Sequence, residues 1–181
     1  RSALNRLEKI AGVHAFSAFE HEFQLKSSSG LLGEGFGRAG FENQRELCEA
    51  IITQIEATGL QTDSIMKEYG PEQYEVVIGP EEGIRAADAA VIVREIVRST
   101  ARHLGEEATF APIRDPSSVG NGVHVHISFR DADGLSKTFD PDGKYGMSKL
   151  TESFAAGVLK YLDSIVAMTA PSATVSYTHL T

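Results

Sequence analysis

An α+β architecture is what this sequence predicts. Segments with period-2 alternation and segments with helical spacing come in mixed order. They lack the regular strand-then-helix succession that a doubly wound parallel sheet requires. A length of 181 residues suits one ordinary domain with a real core, and 41% hydrophobic with 23% charged residues is usual for a globular protein.

The elements follow in order. Residues 1–10 carry Leu4, Leu7 and Ile10 among charges and predict a short amphipathic helix, ended by Gly12. His14 to Leu25 alternates and is rich in Phe, which predicts a strand. One face holds Phe16, Ala18, Glu20, Glu22 and Gln24; the other holds Ala15, Ser17, Phe19, His21, Phe23 and Leu25. Residues 26–40 are rich in Ser and Gly and predict a loop. Residues 42–58 predict a helix with Leu47, Cys48, Ile51, Ile52 and Ile55 buried, Glu42 or Asn43 as cap and Gly59 just beyond the end. Residues 60–69 predict a loop leading into a strand, broken by Gly70 and Pro71. A strand resumes over 73–79 with Tyr74, Val76 and Ile78 on one face. Residues 84–104 predict the longest helix, with a stripe of Ala87, Val91, Ile92, Ile96 and Ala101 and a stop at Gly105. A short extended piece over 109–112 and a loop over 115–122 come next. Asp-Ala-Asp-Gly and Asp-Pro-Asp-Gly within 130–144 are turn chemistry. A last helix over 148–169 presents Leu150, Phe154, Val158, Tyr161, Ile165 and Met168, and Pro171 stops it.

Charge narrows the partners. Twenty-five acidic residues against 17 basic give a net charge of −8, and no basic cluster stands out. That argues against a nucleic-acid or anionic-membrane surface. Cys48 is the single cysteine, so no intrachain disulfide forms and a reducing, cytoplasmic setting is expected. No apolar run approaches the roughly 20 residues of a membrane-spanning helix. Arg1 at the start and the extended stretch 174–181 at the end are expected to lie inside a longer protein.

The stretch that organises the chain runs over 120–129, Gly-Asn-Gly-Val-His-Val-His-Ile-Ser-Phe. His124, His126 and Ser128 share one side of a strand, with alternate residues about 7 Å apart. Val123, Val125, Ile127 and Phe129 share the other, which reads as a core face. Gly120, Asn121 and Gly122 permit close backbone approach to a ligand. Upstream, Glu20 and Glu22 at i and i+2 on a strand face the same way, and two such carboxylates repel unless a cation lies between them. Glu68 and Glu75 would face opposite ways on a continuous strand; the break at Gly70 and Pro71 lets both turn into one site. Each group alone is also compatible with a solvated acidic face, a charged hairpin tip or ordinary histidines. Together, four carboxylates and an imidazole suit a two-ion Mg²⁺ or Mn²⁺ cluster rather than zinc. Such a pair suits ATP phosphoryl transfer.

Glu-His-Glu-Phe (20–23), Glu-Tyr-Gly-Pro-Glu-Gln-Tyr-Glu (68–75), Ala-Thr-Phe-Ala-Pro (108–112), the 120–129 stretch and Ser-Tyr (176–177) resemble, in order, the successive motifs of the glutamine synthetase family. The resemblance implies a mostly antiparallel curved sheet with flanking helices. Residues 1–181 would be part of a single catalytic domain whose C-terminal part, and the smaller N-terminal β-grasp domain, lie outside the chain. It implies that Glu22, Glu68 and Glu75 bind the metal on the glutamate side, and that Glu20 and His124 bind the metal that handles ATP phosphates. His126 would contact phosphate or glutamate, Ser128 would lie near the nucleotide, and the Gly120 backbone would line the glutamate pocket. The implied reaction phosphorylates the γ-carboxylate of glutamate with ATP, after which ammonia or an organic amine displaces phosphate. Members assemble into homo-oligomeric rings with shared active sites. These residues alone are expected to be inactive.

Three positions depart from the family pattern. His179 stands where members carry an arginine, Val119 where ammonia-using bacterial members often carry Asn, and Ile113 where many carry Lys. The last two tilt the expectation towards the wider group that includes γ-glutamyl-polyamine and other amine ligases. Two other classes compete. A non-catalytic relative would have no reason to keep the five metal-type residues. A His-x-His oxygenase of the cupin type would add a glutamate soon after the histidines, and none occurs between His126 and Glu152.

Overall fold

The computed structural model describes residues 2–26 and 35–170. The expectations for Ser176, Tyr177, His179 and the extended 174–181 stretch lie outside the described residues. Among the described residues the fold is α+β: an open antiparallel sheet of six strands with six α-helices.

Strand β1 (His14–Leu25) has the bounds its alternation predicts and is the axis of the sheet. Its Glu20–Gln24 half pairs with β3 (Gln73–Ile78), and β3 pairs with β2 (Thr62–Lys67). The two-residue strand β4 (Glu81–Glu82) meets β1 at Phe16 and Ser17. On its opposite edge β1 carries β5 (Ala108–Thr109) and β6 (Val123–Arg130). All pairings are antiparallel, so residues in register share a face.

Helices α3 (Arg45–Ala57) and α4 (Ile84–His103) cover one face over β1, β2 and β3. The core lies between them, built from Phe23, Leu25, Tyr74, Val76 and Ile78 of the sheet and Leu47, Ile51, Ile55, Val93 and Val97 of the helices. The expected α3 stripe is the buried one apart from Ile52, which is half-buried. Gly59 and Gly105 follow α3 and α4 with φ of +81° and +80°, the left-handed geometry that ends a helix.

Several expectations need correction. Residues 60–69 hold a full strand, β2. Of the expected loop over 26–40, residues 27–34 lie outside the described residues and its last part enters a short helix, α2 (Arg38–Glu42); Gln44 rather than Glu42 or Asn43 precedes α3, without a side-chain cap. On α4 the buried face is Ala86, Ala89, Ala90, Val93, Val97, Thr100 and Ala101; Ala87, Val91 and Ile92 point outward. Small alanines let the helix lie close on the sheet, and Val93 and Val97 fill the space between them. The 148–169 helix is two: α5 (Lys149–Lys160), capped by Ser148, and α6 (Leu162–Thr169), divided at Tyr161, which leaves the helical region at φ −108°, ψ 17°. Neither has a buried residue. The apolar face of β6 is also not a core face over most of its length. Val123, Val125 and Ile127 remain 45%, 48% and 40% exposed, and only Phe129 is buried, against Phe154 of α5. The covering helices lie over β1–β3 and stop short of this edge strand. The chain opens with α1 (Ser2–Ala11), which packs on β1. No described helix is long and apolar enough to cross a membrane.

A carboxylate–imidazole cluster on the open face of the sheet

The face of β1 turned away from α3 and α4 carries Glu20, Glu22 and Gln24. Register does the rest. Glu22 stands opposite Glu75, Gln24 opposite Gln73, Glu20 opposite both Val77 and His124, Ala18 opposite His126 and Phe16 opposite Ser128. Residues separated by about a hundred positions thus meet on one surface because three antiparallel strands lie side by side. Ligand atoms of Glu20, Glu75 and His124 lie within 4.8 Å of one another. The Glu20 carboxylate meets His124 Nδ1 at 2.9 Å and His126 Nε2 at 2.7 Å.

Glu68 reaches the site from the turn between β2 and β3. The turn closes by Glu68 N–H donating to the Gln73 carbonyl at 2.8 Å, and Glu72 takes a left-handed φ of 49° within it. Buried Lys67 donates from Nζ to the carbonyls of Glu68 and Gly70, and that burial lowers its pKa. Gly70 leaves space that a side chain would invade: a Cβ there would sit 2.6 Å from both Gln73 Oε1 and Val119 Cγ2, so one of those side chains would have to shift.

Electrostatics reflects the crowding. Burial, then the charges of Glu20, Glu68 and Glu22, push the Glu75 carboxyl up from 4.5 to about 7. Glu68 is raised as well, first by burial. A divalent cation would relieve this repulsion, and an all-oxygen set completed by an imidazole suits Mg²⁺ or Mn²⁺. The residues present therefore fit such an ion.

Two cavities flank the cluster. The larger, about 610 Å³, is lined by Glu22, Glu68, Gly120 and His124 at one end and by Tyr69, Ile113 and Val119 elsewhere. The smaller, about 320 Å³, is lined by Glu20, His126 and Ser128 together with Asp63, Val77 and Phe16. Every site residue singled out in the sequence therefore lies in the cluster or on one of the two cavity walls. The expected division of metal ligands is less sharp: Glu75 stands with Glu20 and His124, yet is also in register with Glu22.

Sequence reasoning gave no role to Gln73 and only a permissive one to Asn121. Gln73 is 2% exposed and bonds to both sides of the larger cavity. Asn121 is also buried, and its Nδ2 donates to the Ala111 carbonyl at 2.8 Å. Period-2 spacing could have found Gln73, two residues before Glu75 on the same face. His21, between the two β1 glutamates, faces the other way; it is buried among Phe19 and Phe110, and burial lowers its pKa to about 4.

Residues 1–181 match the family model of the glutamine synthetase catalytic domain. The chain is 31% identical to type-1 glutamine synthetase 1 of Dictyostelium discoideum, over 92% of this chain and 36% of that protein. It is 33% identical to gamma-glutamylpolyamine synthetase GlnA3 of Streptomyces coelicolor, over 77% of this chain and 30% of that protein. It superposes on a crystal structure of a novel glutamine synthase homolog with a TM-score of 0.90 and 36% identity, covering 96% of this chain and 41% of the other. The chain spans well under half the length of these relatives.

Proposed function

Since this chain belongs to the glutamine synthetase catalytic-domain family, we propose that the protein containing it is an ATP-dependent ligase that joins glutamate to ammonia through γ-glutamyl phosphate. The convergence of Glu20, Glu75 and His124 between two cavities carries the reading. One compartment suits the acid and the other the nucleotide.

Glu22, Glu68 and Glu75 would hold one divalent ion, and Glu20 with His124 a second. Ions held there would supply the positive charge that offsets phosphate oxygens lying between the acid and the nucleotide. His126 projects into the smaller cavity beside Ser128, where its imidazole can donate a hydrogen bond to a phosphate oxygen as charge builds during transfer. The Glu20 carboxylate holds both imidazoles of the β6 strand by its two oxygens, which fixes their rings. The buried Gly120 backbone forms part of the acid's compartment. Residues 1–181 would form part of one catalytic domain, and the intact protein would be a cytoplasmic homo-oligomeric ring with shared active sites.

An organic amine, including a polyamine, is the second acceptor reading. Similarity to the Streptomyces coelicolor polyamine enzyme and the uncharged Tyr69, Ile113 and Val119 surface of the larger cavity favour it. The test is phosphate release by the full-length protein with ATP, Mg²⁺ and glutamate, given ammonium or each of a panel of amines. Release that depends on glutamate and one acceptor is expected. Failure with every acceptor, in protein that binds Mn²⁺, would overturn the ligase reading and leave a structural relative.

A further inference from the structure

We propose that Gln73 is a positioning residue for the metal site, its carboxamide tying together the three separate segments that surround the larger cavity. The inference rests on the divalent-metal reading given above.

The bonds define the role. Gln73 Oε1 accepts from the Gly70 N–H at 2.9 Å, on the turn that carries Glu68. Gln73 Nε2 faces three oxygens: Glu22 Oε2 at 2.9 Å, the Gly120 carbonyl at 2.8 Å and Asn121 Oδ1 at 3.1 Å. These partners belong to β1, to the turn before β3 and to the loop before β6. Turning the amide over would set Oε1 against those three oxygens and Nε2 against an N–H, so its orientation is fixed. The Gly122 N–H also donates to Glu22 Oε2, at 2.9 Å. Both donors take the same oxygen, so Oε1 of Glu22 is the atom they leave for a ligand. Gln73 thus decides which oxygen of Glu22 is presented, and holds Glu68 and Gly120 at a fixed separation across the cavity.

Partners that orient a metal's carboxylate ligand cost about 10- to 100-fold in metal affinity when removed. Gln73→Met keeps the length of the side chain and removes all four bonds. In the full-length protein, Mn²⁺ affinity measured from the electron paramagnetic resonance signal of free Mn²⁺ should fall about tenfold or more. A purely structural role would lower the melting temperature and leave the affinity of the folded protein unchanged, and that result would overturn the inference. If Gln73→Met does not fold, Gly70→Ala presses on the amide from the other side and keeps every donor. It should weaken Mn²⁺ in the same direction, and unchanged affinity would again overturn the inference. Failure of the unsubstituted protein to bind Mn²⁺ would instead overturn the metal reading itself, and this inference with it.

Discussion

The two faces of β1 are made by the same twelve residues and do opposite work. One face sends Phe23 and Leu25 into the layer beneath α3 and α4, where both are fully buried. The other sends Glu20 and Glu22 towards Glu75, where like charges crowd together. The first face stabilises the fold by removing apolar surface from water, and the second loses stability by holding carboxylates close together. A strand can serve both ends because alternate side chains separate them completely.

Three changes would break or sharpen this contrast. Phe23→Ala should act most, because a fully buried ring packed on Tyr74 and Phe110 leaves a cavity. A loss of about 3–5 kcal/mol in urea unfolding is expected, and a loss near that of a surface substitution would show the covered face to be loosely packed. The acidic face should respond to pH and in the opposite sense to substitution. The Glu75 carboxyl has a raised pKa when folded, about 7 against 4.5. Without metal, the folded chain therefore keeps a proton that the unfolded chain has lost between those values. This stabilising contribution is full below 4.5 and is lost as pH rises through about 7. In EDTA, Glu75→Gln should flatten that fall and stabilise the chain near neutral pH by about 1 kcal/mol, allowing for solvent screening. An unchanged pH slope would mean that the charges are already dispersed. Val125→Thr tests where the covered face ends. Val125 continues the helix side of the sheet onto β6 and is half-exposed. A change within about 0.5 kcal/mol is expected, and a larger loss would place it in the core.

Much of this was legible in the chain itself. The bounds of β1, the buried stripe of α3 and the glycine stops after α3 and α4 are local patterns with local causes. The shared faces of two residue pairs were legible as well, because period-2 spacing puts Glu20 beside Glu22 and His124 beside His126. The outward face of α4 was misread because Val91 and Ile92 offer an apolar stripe as plausible as the one through Val93 and Val97, and only packing on the sheet chooses between them. The uncovered Val123, Val125 and Ile127 were misread because alternation reveals that a strand has an apolar face and says nothing of what lies over it. Period-2 spacing puts Gln73 on the Glu75 face, yet it was given no role, because the partners its amide joins across the cavity lie 47 to 51 residues away.

By itself the sequence determined most of the elements, the alternation of each strand and the residue types available for chemistry, since these depend on neighbours a few positions apart. Only the tertiary structure decided that Glu20 meets His124 across 104 residues, that Glu75 comes together with both, and that one amide joins three segments. Such meetings depend on strand register and on the closure of long loops, which no short stretch of sequence encodes.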